Sequence, residues 1–160
     1  MKAPPPRDRS RLGFALAGAL FVTSLLLPAY RVVSGNPDFS THMAGWECAH
    51  AVGANLLGFL DDSFNFKKDF AEWVYYSAFN VTNLALLVLP IMAFTKRFGQ
   101  FSPLLPWFVG TCFLHTASWW FSEKQQILAG YYVWLLAVGV LFAACVARVR
   151  SQNIPLETKN

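Results

Sequence analysis

Four stretches of this chain carry no charged side chain: Leu12–Tyr30, Trp73–Thr95, Phe98–Ser122 and Gln125–Ala147. A hydrocarbon layer of ~30 Å takes about 20 helical residues at ~1.5 Å of rise each. Each stretch meets that length, and none alternates with the polar face that a soluble helix turns to water. The pattern predicts an all-α fold, a four-transmembrane-helix bundle over residues 12–147. The connections 94–103 and 121–129 are short, so spans two, three and four should be sequential antiparallel neighbours.

The segment Arg31–Glu72 is the longest connection. It opens with turn formers, Ser34-Gly35-Asn36-Pro37-Asp38. Met43–Leu60 then reads as an amphipathic helix. At about 100° per residue, Trp46, Ala49, Val52, Leu56, Leu57 and Leu60 share one side, and Glu47 and Asn55 fall on the other. Such a helix lies flat at the interface or caps the bundle; a re-entrant helix is the alternative. Asp61-Asp62 ends it. Residues 1–11 are basic and Pro-rich and read as a disordered tail, with a second tail over 148–160.

Charge assigns the sides. The net charge of +4 does not indicate a nucleic-acid surface, because the cations follow the spans and form no patch. Lys2, Arg7, Arg9, Arg11, Lys96, Arg97, Arg148, Arg150 and Lys159 fall on one side of a four-span chain. The other side holds Arg31, Lys67, Lys68 and Lys124 among the acids Asp38, Glu47, Asp61, Asp62, Asp69, Glu72 and Glu123. The positive-inside rule then places both termini in the cytoplasm. Aromatic residues mass at the opposite, outer ends: Tyr30; Trp73, Tyr75 and Tyr76; Trp119, Trp120 and Phe121; Tyr131, Tyr132 and Trp134. Trp and Tyr favour the interface because the ring is apolar and its N–H or O–H wants water. Span one has a basic leader but no convincing small-residue cleavage site, and reads as a retained signal-anchor.

Cys48, Cys112 and Cys145 fall at different depths, so they do not form a disulfide framework, and no CxxC is present. His42, Glu47, Cys48 and His50 are the conceivable metal ligands of the loop. Cys48 and His50 would point about 160° apart on a helix, so no metal is expected there, and no cofactor elsewhere. Two membrane histidines would be needed for a haem, and only His115 lies in a span. Asn80-Val81-Thr82 matches a glycosylation sequon but sits inside a span, where it should stay unmodified.

Two features bear on packing and chemistry. Gly139, Ala143 and Ala147 form a small-residue row on span four that should let another helix approach closely, and Ala15, Gly18 and Ala19 offer a matching row on span one. Gly139→Leu should therefore disturb packing. Polar residues gather at one depth, ~10 Å below the outer surface. Ser77, Asn80 and Asn83 form a stripe on span two, and Thr111, His115 and Ser118 one on span three; Thr23 and Ser24 lie on span one. Unsatisfied polar groups are costly in lipid, so these should meet, with His115 hydrogen-bonded to Asn80. A neutral imidazole donates at one nitrogen and accepts at the other, as an amide partner requires.

Gly45-Trp46-Glu47-Cys48 and Gly130-Tyr131-Tyr132-Val133-Trp134, in that order, resemble a pattern in small uncharacterised four-span bacterial inner-membrane proteins. The resemblance covers about a tenth of the chain and implies the architecture and membrane, not an activity. Claudin-like folds would need a second loop cysteine. The residues lead first to a non-enzymatic accessory, immunity or assembly factor. The alternative is a ligand-binding or transport component using the polar layer as an outward-facing site. A membrane enzyme ranks last, since no nucleophile–base pair or acidic metal cluster stands out. The expected partners are the lipid bilayer and either another membrane protein or a small polar or amphipathic ligand, not a nucleic acid. A pocket lined by Asn80 and His115 would favour ligand binding; a filled interior would favour the accessory factor.

Overall fold

A computed structural model describes residues 9–33, 40–57, 60, 65–95, 103–123 and 126–152. The elements run α1 (Arg9–Leu26), β1 (Pro28–Val33), β2 (Ser40–Ala44), α2 (Gly45–Leu56), α3 (Phe66–Met92), α4 (Leu105–Glu123) and α5 (Ala129–Gln152). The architecture is mostly helical, as the charge-free stretches imply. The tail 1–8, the turn formers Ser34–Asp38, the Asp61-Asp62 pair and the residues 153–160 lie outside the described residues.

α1 packs antiparallel along α5, the most extensive helix pair in the molecule. Its buried residues Ser10, Phe14, Ala17, Phe21 and Ser24 recur at spacings of four and three, the seam of a helix pair. α5 answers with Gly130, Tyr131, Ala137, Val138, Leu141, Ala144 and Cys145, all buried. The closest approach is at the end away from the hairpin, where a Cβ added to Gly13 would lie 2.9 Å from the Ala144 Cβ. Further along α1, Gly18 faces the Pro90 ring of α3. Pro90 has no N–H to continue the ladder, and α3 ends after Met92.

The small-residue row of α5 does not make this contact. Ala143 and Ala147 are exposed, and Gly139 turns to α4, where an added Cβ would lie 3.4 Å from the Phe113 ring. On α1, Ala15 and Ala19 are exposed as well. The seam runs instead through larger side chains, because knobs of Phe and Leu fill the space that a row of small residues would leave empty.

The first connection departs most from expectation. α1 stops at Leu26, and Pro28–Val33 forms a strand, so Tyr30 ends no helix. Pro28 disfavours helix in the residue before it and occupies the first strand position, where its missing N–H breaks no ladder bond. β1 and β2 pair antiparallel, Tyr30 with Met43, Arg31 with His42 and Val32 with Thr41. The α4–α5 connection joins the same small sheet: Tyr30 bridges Ile127, the Arg31 N–H donates to the Gln126 carbonyl at 2.8 Å, and the Leu128 N–H donates to the Ala29 carbonyl at 2.9 Å.

α2 follows directly, started by the Glu47 carboxylate, which accepts the Ala44 N–H at 2.6 Å. It is shorter than the Met43–Leu60 expectation, and its apolar side is divided. Ala49 and Val52 face inward, but Trp46, Leu56, Leu57 and Leu60 are exposed. α3 starts before Trp73, with the Asp69 carboxylate accepting the Asn65 N–H at 2.8 Å. A carboxylate there also suits the positive end of the helix dipole.

Two helices are long and apolar enough to cross a membrane, Asp69–Met92 within α3 and Ala129–Gln152. About a third of each apolar stretch is buried inside the structure, 33% and 28%. α1 is apolar but shorter, and α4 is diluted by Pro106, His115 and its tryptophans. Two of the four expected spans thus have the length and composition to cross a membrane, and α1 and α4 do not. Large apolar side chains point outward from all four long helices, among them Leu12, Leu84, Leu87, Leu114 and Leu136, with Trp107 78% exposed.

Gly13→Leu is expected to lower the unfolding midpoint in detergent by the equivalent of ~1–3 kcal/mol, since the added side chain meets Ala144. Ala147→Leu, on an exposed face, should leave it unchanged. Equal behaviour of the two variants would contradict the α1–α5 seam.

Candidate functional site

A half-enclosed cleft lies at the hairpin end of the helices, with about 520 Å³ of empty space when the open solvent at its mouth is included. Its walls come from every element except β2: Ser24 and Leu25 of α1; Ala29 and Tyr30 of β1; Gly45, Cys48, Ala49 and Val52 of α2; Phe79 and Asn83 of α3; Trp119 of α4; and Ile127, Gly130, Tyr131 and Trp134 at the start of α5. None of these residues carries a charged side chain.

The aromatic wall is held by mutual packing. Tyr30 stacks on Trp119 with centroids 5.7 Å apart and planes inclined by 24°. Phe79 touches Trp119 at 5.1 Å and Trp134 at 5.7 Å, and Trp119 meets Tyr131 edge-on at 5.9 Å. Tyr131 is fixed from behind, because its hydroxyl donates to the Thr116 carbonyl and both residues are buried. Such edge and tilted contacts follow the ring quadrupole and add to burial.

The polar inventory of the cleft is small. The Ser24 hydroxyl donates to the Phe21 carbonyl of its own helix at 2.6 Å. The Cys48 thiol is pushed up to about 11, first by burial and then by the neighbouring Glu47 carboxylate, so it stays protonated at neutral pH. The Asn83 amide hydrogen-bonds to no described residue. It offers an occupant both donor and acceptor capacity, and the Trp134 indole N–H in the same lining, buried without a hydrogen-bond partner among the described residues, offers a second donor.

The expected polar layer is not a single network. The Asn80 amide donates to the Val52 carbonyl at 2.9 Å and so fastens α2 to α3, not to His115. The Trp73 indole makes a second, longer link to the Leu56 carbonyl at 3.4 Å. His115 packs against the rings of Tyr75 at 4.8 Å and Phe79 at 4.5 Å. Both its ring nitrogens are buried without a hydrogen-bond partner among the described residues, as is the Ser77 hydroxyl. Ser118 lies within 3.2 Å of the Tyr75 hydroxyl and donates to the His115 carbonyl. Thr23 and Thr111 are exposed and bond to the carbonyls of Ala19 and Trp107 in their own helices. The physical reason is local: a helical hydroxyl satisfies itself on the preceding turn and needs no partner across the bundle. Of the eight polar-layer residues, the structure brings Ser24 and Asn83 to the cleft.

The loop metal candidates do not assemble either. No group of three His, Cys, Asp or Glu converges among the described residues, and the Glu47 carboxylate is engaged at the start of α2. Missed in the sequence were the wall rings Phe79, Trp119, Tyr131 and Trp134 as a cluster, and the buried hydroxyls Thr82 and Thr116. Phe79, Thr82 and Leu86 recur at helical spacing on one face, a signal that the surrounding apolar run obscures.

An imidazole with two unpartnered buried nitrogens is costly, by ~1–3 kcal/mol for each unmet group. His115→Phe keeps the ring contacts with Tyr75 and Phe79 and removes that cost. It should raise the melting temperature in detergent; a fall would mean that the nitrogens have a partner such as an ordered water.

No family model matches the chain, and no curated protein and no solved structure matches it.

Proposed function

We propose that this chain is an integral protein of a bacterial inner membrane that crosses the bilayer four times, has both termini in the cytoplasm, and binds a small amphipathic molecule in its outer-end cleft without catalysing a reaction. The cleft carries this reading: a half-enclosed space framed by packed rings, with the Asn83 amide, which hydrogen-bonds to no described residue, in its wall. Apolar walls with few polar groups are the usual form of small-molecule sites. The accessory-factor reading, which the residues alone put first, called for a filled interior; the ligand reading called for a pocket lined by Asn80 and His115, and the cleft is lined by Asn83 and the aromatic rings in their place.

The membrane part rests on the apolar faces turned outward from the four long helices and on the charge distribution. α1 and α4 serve as spans in this reading although they are shorter or less apolar than α3 and α5. Neighbouring helices cover part of each, and interfacial aromatics suit their ends. The exposed Trp46, Leu56 and Leu57 of α2 suit a helix seated at the outer interface.

Reporter fusions or membrane-impermeant cysteine labelling should place Lys2, Arg97 and Lys159 inside and Asp62 and Lys124 outside. The chain purified in mild detergent should retain a small molecule detectable by native mass spectrometry, and Trp119→Ala should lose it. An outside C-terminus would end the four-span reading. A wild-type chain without any retained mass, under conditions that preserve its monodispersity, would end the ligand reading.

A further inference from the structure

The polar groups of the cleft restrict what can occupy it. A buried charge needs a countercharge or several hydrogen bonds, and without them its transfer is prohibitive. Among the described residues, no lining side chain carries a formal charge. The Ser24 and Tyr131 hydroxyls already donate to carbonyls within the protein. The Asn83 amide, with one acceptor oxygen and an NH2 donor, remains to receive a head group, and the Trp134 N–H in the same lining, buried without a partner among the described residues, adds a donor.

An aromatic wall invites a cation, since ring faces attract ammonium groups. Here the rings are engaged with one another, the stacked pair covering one face of each of its members. Tyr30 and Trp119 stack face to face, and Phe79 is in ring contact with Trp119, Trp134 and His115. What remains toward the cleft is apolar surface bounded by Leu25, Ala49 and Val52. That surface suits a hydrocarbon chain better than a charge.

We infer that the cleft holds an uncharged single-chain lipid whose neutral hydroxyl- or ester-bearing head is received by the Asn83 amide. The inference rests on the ligand-binding reading and narrows it to one chemical class. Asn83 accepts a hydroxyl proton at its oxygen and donates its NH2 to an ester or hydroxyl oxygen, while the chain lies against Trp119 and Val52. Among the described lining residues, an anionic head would meet no cation and a cationic head no carboxylate.

The test uses the full chain in phospholipid nanodiscs, where no neutral detergent competes. A photoactivatable monoacylglycerol is cross-linked to the protein and the labelled peptides are mapped. Three unlabelled competitors share one hexadecyl-length chain: monopalmitoylglycerol, hexadecyl sulfonate and hexadecyltrimethylammonium. Labelling is expected on α2, α3 and the start of α5, with the neutral competitor at least about 10-fold more effective than either charged one. Asn83→Leu should reduce that preference to within about 2-fold, and Asn83→Gln should keep most of it. The ranking is read on the wild-type chain, so it holds even where a variant fails to fold. If the sulfonate or the ammonium competes as well as the neutral lipid, the inference is wrong and the cleft remains a binding site of another class. If saturable labelling of the cleft is absent and none of the three competitors has an effect, the ligand-binding reading falls with it.

Discussion

The structure depends on one corner of backbone, Ser24–Ala29, where α1 ends and β1 begins. Two glycines close on it from opposite elements. A Cβ at Gly45, the first residue of α2, would come within 2.9 Å of the Leu25 Cα and closer still to the Ser24 carbonyl. A Cβ at Gly130, in the first turn of α5, would lie 2.8 Å from the Leu27 carbonyl oxygen and 3.0 Å from that of Pro28. Only a residue without a side chain lets three backbones meet so closely. The Gly45 N–H uses the proximity, donating to the Leu27 carbonyl at 2.9 Å. That bond satisfies an orphan donor of α2 and a carbonyl left free at the end of α1.

The cleft follows from that corner. Gly45 seats α2 across the helix ends, and Asn80 holds it there by bonding to the Val52 carbonyl. Gly130 brings α5 in close enough for Tyr131 and Trp134 to join Phe79 and Trp119 in one wall. The Tyr30–Ile127 bridge and its two flanking hydrogen bonds close the remaining side. The space is therefore a consequence of backbone contacts, which helix packing alone would not create. Its apolar, uncharged lining is what remains when helix-end hydroxyls turn back on their own carbonyls.

Much of this was legible in the residues, unevenly. Charge-free runs located the four long helices, because helix length and apolar content are read from composition alone, but the starts of α3 and α4 lie seven residues from the starts of their runs. The runs could not show where α1 stops. That depended on Pro28 and on the strand residues Tyr30-Arg31-Val32-Val33 before a turn-rich segment, a hairpin signal hidden inside an apolar stretch. The polar stripe of Ser77, Asn80 and Asn83 was real as a helix face but not as a network, since Asn80 turns to α2 and Asn83 to the cleft. The glycines of Gly45-Trp46-Glu47-Cys48 and Gly130-Tyr131-Tyr132-Val133-Trp134 stood out as motifs, yet their shared role required knowing that both meet the same corner. The small row Gly139, Ala143 and Ala147 divides, Gly139 meeting Phe113 of α4 while Ala143 and Ala147 are exposed, because small residues on an outward-facing side look the same in sequence as those in a contact.

The most direct test of the corner is a comparison of three alanine substitutions by thermal unfolding in one detergent. Gly45→Ala and Gly130→Ala introduce a methyl group into backbone at both positions, whereas Gly53→Ala, on the same helix as Gly45, meets nothing closer than the Asn80 side-chain oxygen at 3.9 Å. If the corner frames the fold, the first two lower the melting temperature by several degrees each. The third leaves it unchanged or raises it slightly, as Gly→Ala does within an open helix. A Gly45→Ala or Gly130→Ala variant as stable as the wild type would show that the three backbones do not meet there, and the cleft built on that contact would lose its frame.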